Sequence, residues 1–112
     1  MTVENNRFIT EIPERWLIVK VIGGYKVFGT WAGGYLDGDR WKMNSGIAKV
    51  EQDEDNYYFH GFSGSCYKCH KKGYGVATSY GQGILDRLME VGQGRVEILE
   101  DTDDWSKLIT NE

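Results

Sequence analysis

The side chains best equipped for chemistry are Cys66, Cys69 and His70, in the run Cys66-Tyr67-Lys68-Cys69-His70. C-x-x-C-H is the spacing of covalent haem attachment, in which both sulfurs and the histidine meet one porphyrin. The same residues together with His60 would make a four-ligand zinc set. A cysteine beside a histidine can also serve as a nucleophile with its base. All three chemistries need side chains that converge. The flanking residues read instead as a hairpin: "YYFHGF" (57–62), a turn at Ser63-Gly64, and "SCYKCH" (65–70) returning. Along a strand, residues three apart point to opposite faces, so Cys66 and Cys69 diverge. Zinc would need a knuckle here, and Gly64 and Gly73 flank the segment as such a turn requires. Strand alternation favours two buried or half-buried thiols over any of these sites. No acidic third member of a catalytic set is indicated, and no cofactor is expected.

The next candidate is "KKGYGVATSYGQG" (71–83), with four glycines, two lysines, two tyrosines and two hydroxyl residues. It leads into the main helical pattern. Helix N-terminal N–H groups attract anions, and glycines let a phosphate approach the backbone. Lys71 or Lys72 would neutralise the charge, Thr78 and Ser79 would donate hydrogen bonds, and Tyr74 or Tyr80 would stack on a base. The stretch lacks the G-K-S/T of a P-loop, and it lacks the third glycine and βαβ setting of a dinucleotide fingerprint. A plain loop closed by an ordinary N-cap would use the same residues.

A second cluster, "GTWAGGYLDGDRWKMNSG" (29–46), gathers Trp31, Tyr35, Arg40, Trp41, Lys42, Asn44 and Ser45 around turns. Aromatic faces beside Arg40 suit a planar, charged ligand or a protein partner. Trp16, Trp31 and Trp41 would equally fill a small core poor in leucine.

The elements that must position these residues are mostly strands. "WLIVKVI" (16–22), a turn at Gly23-Gly24 and "YKVFGTW" (25–31) predict a hairpin. "WKMNSGIAKV" (41–50) reads as one strand whose apolar phase changes at Ser45-Gly46, the mark of a bulge. "EQDEDN" (51–56) is a polar loop. Ile84, Leu88 and Val91 predict a helix over 81–91, with Ser79 as N-cap and Gly92 as stop. "RVEIL" (95–99) is a last strand, and "DDWSKLI" after Thr102 a short terminal helix with acids in its first turn. The expected fold is α+β: one domain over 1–112, with a small twisted antiparallel sheet or partial barrel of five to six strands, one main helix and a short C-terminal helix.

Composition narrows the function. The 112 residues carry a net charge of −4 and are 40% hydrophobic, the range of a globular chain. From Leu88 onward two basic residues face seven acidic ones. That balance suits neither a long nucleic acid, which needs clustered Lys and Arg, nor a membrane surface. No apolar run is long enough to span a bilayer, and the N-terminus has no signal-peptide pattern, so a cytoplasmic location is expected. Two histidines make a thin acid–base inventory, so the chain is expected not to be an enzyme.

"GDRWKMNSGIAKV" (38–50) followed by "GFSGSCYKC" (61–69) resembles the small, glycine- and aromatic-rich β proteins of tailed phages, over residues 25 to 90. The resemblance implies a counter-defence factor in the host cytoplasm, of the kind that acts as a sponge for nucleotide second messengers. It assigns no residue a role. Taken with the residues, it leads to a homo-oligomer that sequesters a small anionic nucleotide through Lys71, Lys72, Tyr74, Thr78 and Ser79, with Arg40 and Trp41 next. The alternative is an inhibitor of a host protein, acting through aromatic loops and the acidic C-terminal face.

Overall fold

A computed structural model describes residues 8–33, 38–102 and 105–110. Tyr35 and the acids Asp103 and Asp104 lie outside them. Seven strands form two antiparallel sheets. β1 (Arg15–Val21), β2 (Gly24–Trp31) and β3 (Arg40–Met43) join β7 (Glu97–Ile98) in the order β3-β2-β1-β7. β4 (Ile47–Gln52), β5 (Asn56–Gly61) and β6 (Cys66–His70) make the second sheet, in sequence order. The helices are α1 (Ser79–Gly92) and α2 (Trp105–Thr110). The α+β class, the main helix and the short terminal helix follow the sequence. The strand count exceeds the expectation, and the sheets do not close into a barrel.

The extra strand comes from residues 41–50. The apolar phase change at Ser45-Gly46 marks a transfer between sheets, from β3 to β4, and the expected irregularity follows just after it, as a register shift between Ile47 and Lys49 in the β4–β5 ladder. Gly46 makes the corner at φ +134°, a conformation that side chains rarely adopt. Asn44 finishes the first sheet: its N–H donates to Val27 O at 3.2 Å. The β1–β2 turn also shifts by one residue. Val21 pairs with Gly24, so Ile22 and Gly23 form the turn, and Gly23 supplies the positive φ.

Trp16, Leu17, Ile18 and Val19 are consecutive and all buried. A strand with that pattern must be covered on both faces. Trp16 and Ile18 pack toward the second sheet and Trp105, with Val50, Phe59 and Cys69. Leu17 and Val19 pack with Phe28 against Leu85 of α1. Of the four tryptophans, Trp16 and Trp105 are fully buried, while Trp31 and Trp41 are half-buried.

Before β1 the chain forms a strap. Thr10 and Cys66 exchange hydrogen bonds: Thr10 N–H donates to Cys66 O, and Cys66 N–H to Thr10 Oγ1, both at 2.9 Å. Lys68 N–H donates to Glu11 O, so the strap runs parallel along β6. Trp31 Nε1 donates to Ile12 O at 3.0 Å, which ties the strap across to β2.

Candidate functional site

The strap, the β3–β4 corner and the β5–β6 turn enclose a cleft of about 480 Å³. Its walls are Thr10 and Glu11 from the strap, Lys42 to Ser45 from the corner, Ser63 and Ser65 from the turn, and Tyr67 from β6. Binding sites for small molecules fall in the range of about 300–1,000 Å³.

Two buried polar atoms of the lining residues have no hydrogen-bond partner among the described residues: Asn44 Nδ2 and Ser65 Oγ. Asn44 is only 5% exposed. Its orientation is fixed by chemistry, because Oδ1 accepts from the buried Val27 N–H at 3.0 Å. Only an oxygen can accept there, so the NH₂ end is the one left without a partner among the described residues. Both orphaned atoms sit over Gly61. A Cβ on that glycine would lie 2.5 Å from Ser65 Oγ and 3.5 Å from Asn44 Nδ2. A buried polar group left without a partner costs about 1–3 kcal/mol.

Other polar groups line the cleft alongside Met43. Lys42 Nζ meets Glu11 Oε2 at 2.6 Å. Ser45 Oγ donates to Ser63 Oγ at 3.2 Å and accepts from Ser63 N–H. Burial, then the Glu11 carboxylate, then Cys69 push the Tyr67 phenol up to about 12, so it remains an O–H donor at neutral pH.

The residues picked out by sequence do not form one site. Lys71 Nζ donates to Gln52 Oε1 at 2.7 Å and lies 5.0 Å from the Tyr57 ring centroid. Lys72 is exposed beside it, its N–H bound to His70 Nδ1. Tyr74 is part of the core. Its ring meets Trp16 edge-on and stacks with Trp105, and its hydroxyl donates to Leu99 O and accepts from Ile18 N–H. Burial raises its phenol to about 12. Thr78, not Ser79, is the N-cap of α1, accepting from Gly81 N–H at 3.0 Å; Ser79 is exposed in the first turn. Gly81 serves packing, since a Cβ there would lie 2.8 Å from Thr30 Cγ2 on β2. Arg40 lies 4.2 Å above the Trp31 ring, and Trp41 stacks on Phe28. None of these seven residues lines the cleft. Lys42, Asn44 and Ser45 do, and the turn-rich cluster at 29–46 already contained them. Thr10, Glu11, Ser63, Ser65 and Tyr67 carried no local signal.

Cys66 and Cys69 are both buried on β6, and neither is in a disulfide. Cys69 packs in the core between the sheets, and alternation turns Cys66 to the opposite face. His60 Nε2 pairs with Glu51 Oε1 at 2.8 Å on the neighbouring strand. Among the described residues no three His, Cys, Asp or Glu side chains cluster as metal ligands would. No described helix is long and apolar enough to cross a membrane. No protein-family model, curated protein or solved structure matches the chain.

Proposed function

We propose that this chain is a non-enzymatic binding protein that captures a small phosphorylated nucleotide, and that the cleft under the strap is its site. The observation that carries the reading is the pair of buried, unpartnered polar atoms, Asn44 Nδ2 and Ser65 Oγ, in the wall of that cleft. A bound acceptor recovers the free energy that these atoms forfeit when empty. The site is thus moved from Lys71–Ser79 to the β3–β4 corner, while the ligand class expected from the sequence is kept. The reading of capture rather than turnover rests on the cleft's titratable groups. Among the described residues the lining holds no histidine or cysteine, and the Tyr67 phenol is too weak an acid to exchange protons at neutral pH. In the setting that the phage resemblance implies, the ligand would be a nucleotide signal of host defence, held by an assembly of copies in the host cytoplasm.

The test is a panel of nucleotides and cyclic nucleotides followed by melting temperature. A member of the panel should raise it, and the same molecule should be recovered unaltered after heat denaturation. Recovery of a changed molecule would mean catalysis. No shift across the panel would remove the nucleotide reading.

A second reading, inhibition of a host protein, is favoured by one specific feature. Ile22 and Phe62, at the tips of two hairpin turns, are 76% and 72% exposed and line one shallow groove. Charged substitutions at both positions would abolish a protein contact and leave nucleotide capture intact.

A further inference from the structure

We infer that the cleft is an oxyanion site, built for a phosphate group, in which Lys42 leaves Glu11 and joins Asn44 Nδ2 and Ser65 Oγ on the ligand. The inference deepens the capture reading and rests on the cleft being a ligand site at all.

Asn44 Nδ2 can only donate, and it is held in place by the Val27 bond on the other side of its amide. Ser65 Oγ can donate, and Lys42 Nζ brings up to three more N–H groups. Against these, the one charged acceptor in the wall is Glu11. The buried end of a ligand that satisfies this wall must be rich in acceptors.

Glu11 explains how the empty site is kept in order. Its main chain is pinned to β6 through Cys66 and Lys68, while its carboxylate reaches across to Lys42 on β3. Glu11 is therefore a resident carboxylate occupying the cation that an incoming oxyanion needs. Lys42 is itself largely exposed and can swing between the two partners. The three donors stand on separate segments: Lys42 on the edge strand, Asn44 at the corner, and Ser65 at the end of the β5–β6 turn. Donors on three separate segments suit a phosphate, with its several oxygens, better than a planar carboxylate, which offers two oxygens in one plane. The retained Glu11 charge repels the ligand, so the site trades affinity for exchange, and removing that charge should tighten binding.

The experiment uses the full ¹⁵N-labelled chain, with the Asn44 side-chain NH₂ signals as reporter. It is titrated separately with inorganic phosphate, a nucleoside monophosphate, the bare nucleoside and acetate. Phosphate and the monophosphate should shift the Asn44 NH₂ signals saturably, whereas nucleoside and acetate should not. Glu11→Gln should tighten phosphate binding on the order of tenfold, the effect of removing one close like charge. Ser65→Ala should weaken it several-fold without loss of melting temperature, since it deletes an unsatisfied hydroxyl. Phosphate shifts confined to residues 71–79, or unchanged phosphate affinity in Glu11→Gln, would overturn the inference. Saturable binding of the bare nucleoside in the cleft without phosphate binding would also overturn it, yet leave small-ligand capture standing. Phosphate binding at Asn44 with no nucleotide response would uphold the oxyanion site and sink the nucleotide reading.

Discussion

Asn44 and Val27 are joined by two hydrogen bonds, one from each backbone N–H. Asn44 N–H donates to Val27 O, and Val27 N–H donates to Asn44 Oδ1. The side chain thus stands in for a strand residue at the point where the chain leaves the first sheet. The same residue lines the cleft, with its Nδ2 buried and unpartnered among the described residues.

Replacing Asn44 with alanine removes the only acceptor that the buried Val27 N–H has among the described residues. The expected cost is roughly 1–3 kcal/mol, the price of an unsatisfied buried donor. Urea denaturation of Asn44→Ala should show a lower midpoint with an unchanged slope. A midpoint equal to that of the parent would mean that the lost Val27 bond is worth no more than the unpartnered Nδ2 that the substitution deletes with it.

Gly61→Ala tests the floor beneath Ser65 Oγ and Asn44 Nδ2, one layer behind the cleft lining. The new methyl would lie 2.5 Å from Ser65 Oγ, far inside contact distance, so the serine must rotate away. Overpacking of this kind costs typically about 1–3 kcal/mol. The variant should melt earlier and bind phosphate more weakly than Ser65→Ala, because it fills space as well as displacing the hydroxyl. Parent-like binding would show that the ligand does not reach this floor.

Much of the fold was legible in the sequence because its signals are local. The β1–β2 hairpin, the pairing of 57–62 with 65–70 and the helix after Ser79 each rest on periodicity within a short window. The split between β3 and β4 was not legible as such. A glycine where the apolar phase changes looks alike whether the strand bulges or crosses to another sheet. Tyr74 misled for a related reason: a tyrosine among glycines carries no mark of whether its ring is in the core or in solvent. The cleft was half legible. Lys42, Asn44 and Ser45 are neighbours in sequence, but Glu11 and Ser65 reach them only through the strap and the β5–β6 turn.

Two glycines of α1 should respond to alanine in opposite directions. At Gly83 a Cβ meets nothing within 4 Å, so alanine should gain its helix propensity, about 0.8–1.0 kcal/mol. At Gly81 the Cβ would lie 2.8 Å from Thr30 Cγ2 and 2.9 Å from Val76 Cγ1. Overpacking of about 1–3 kcal/mol then exceeds the same propensity gain. Gly83→Ala should raise the melting temperature and Gly81→Ala lower it. Equal shifts for the two would mean that α1 does not dock on Thr30.

Alkali should destabilise the fold by a definable route. Tyr67 and Tyr74 hold their protons to about 12 in the native protein, both chiefly through burial. In the unfolded chain a tyrosine titrates near 10. Their contribution to stability is complete below pH about 10 and is lost as pH rises through about 12, because across that window the unfolded chain binds fewer protons. Tyrosinate absorbance of the folded protein should therefore contain a late component near 12 that Tyr67→Phe and Tyr74→Phe each reduce. If all seven tyrosines titrate together near 10, these phenols are not held as described.

The two thiols should be inert until the fold opens. Thiol reagents need the thiolate, and burial, helped by Cys66, pushes the Cys69 thiol well above its usual range. Cys66 is buried on the other face of β6, and its backbone is clasped by Thr10 of the strap. A chromogenic disulfide reagent should label neither residue at a rate faster than local or global opening, and labelling should accelerate with denaturant in step with unfolding. Because the two sulfurs face opposite sides of one strand, added zinc should leave both that rate and the melting temperature unchanged. Fast labelling of a single thiol in native buffer would mean that the strap lifts from β6 on its own. The wall of the cleft that carries Glu11 would then be a moving part of the site.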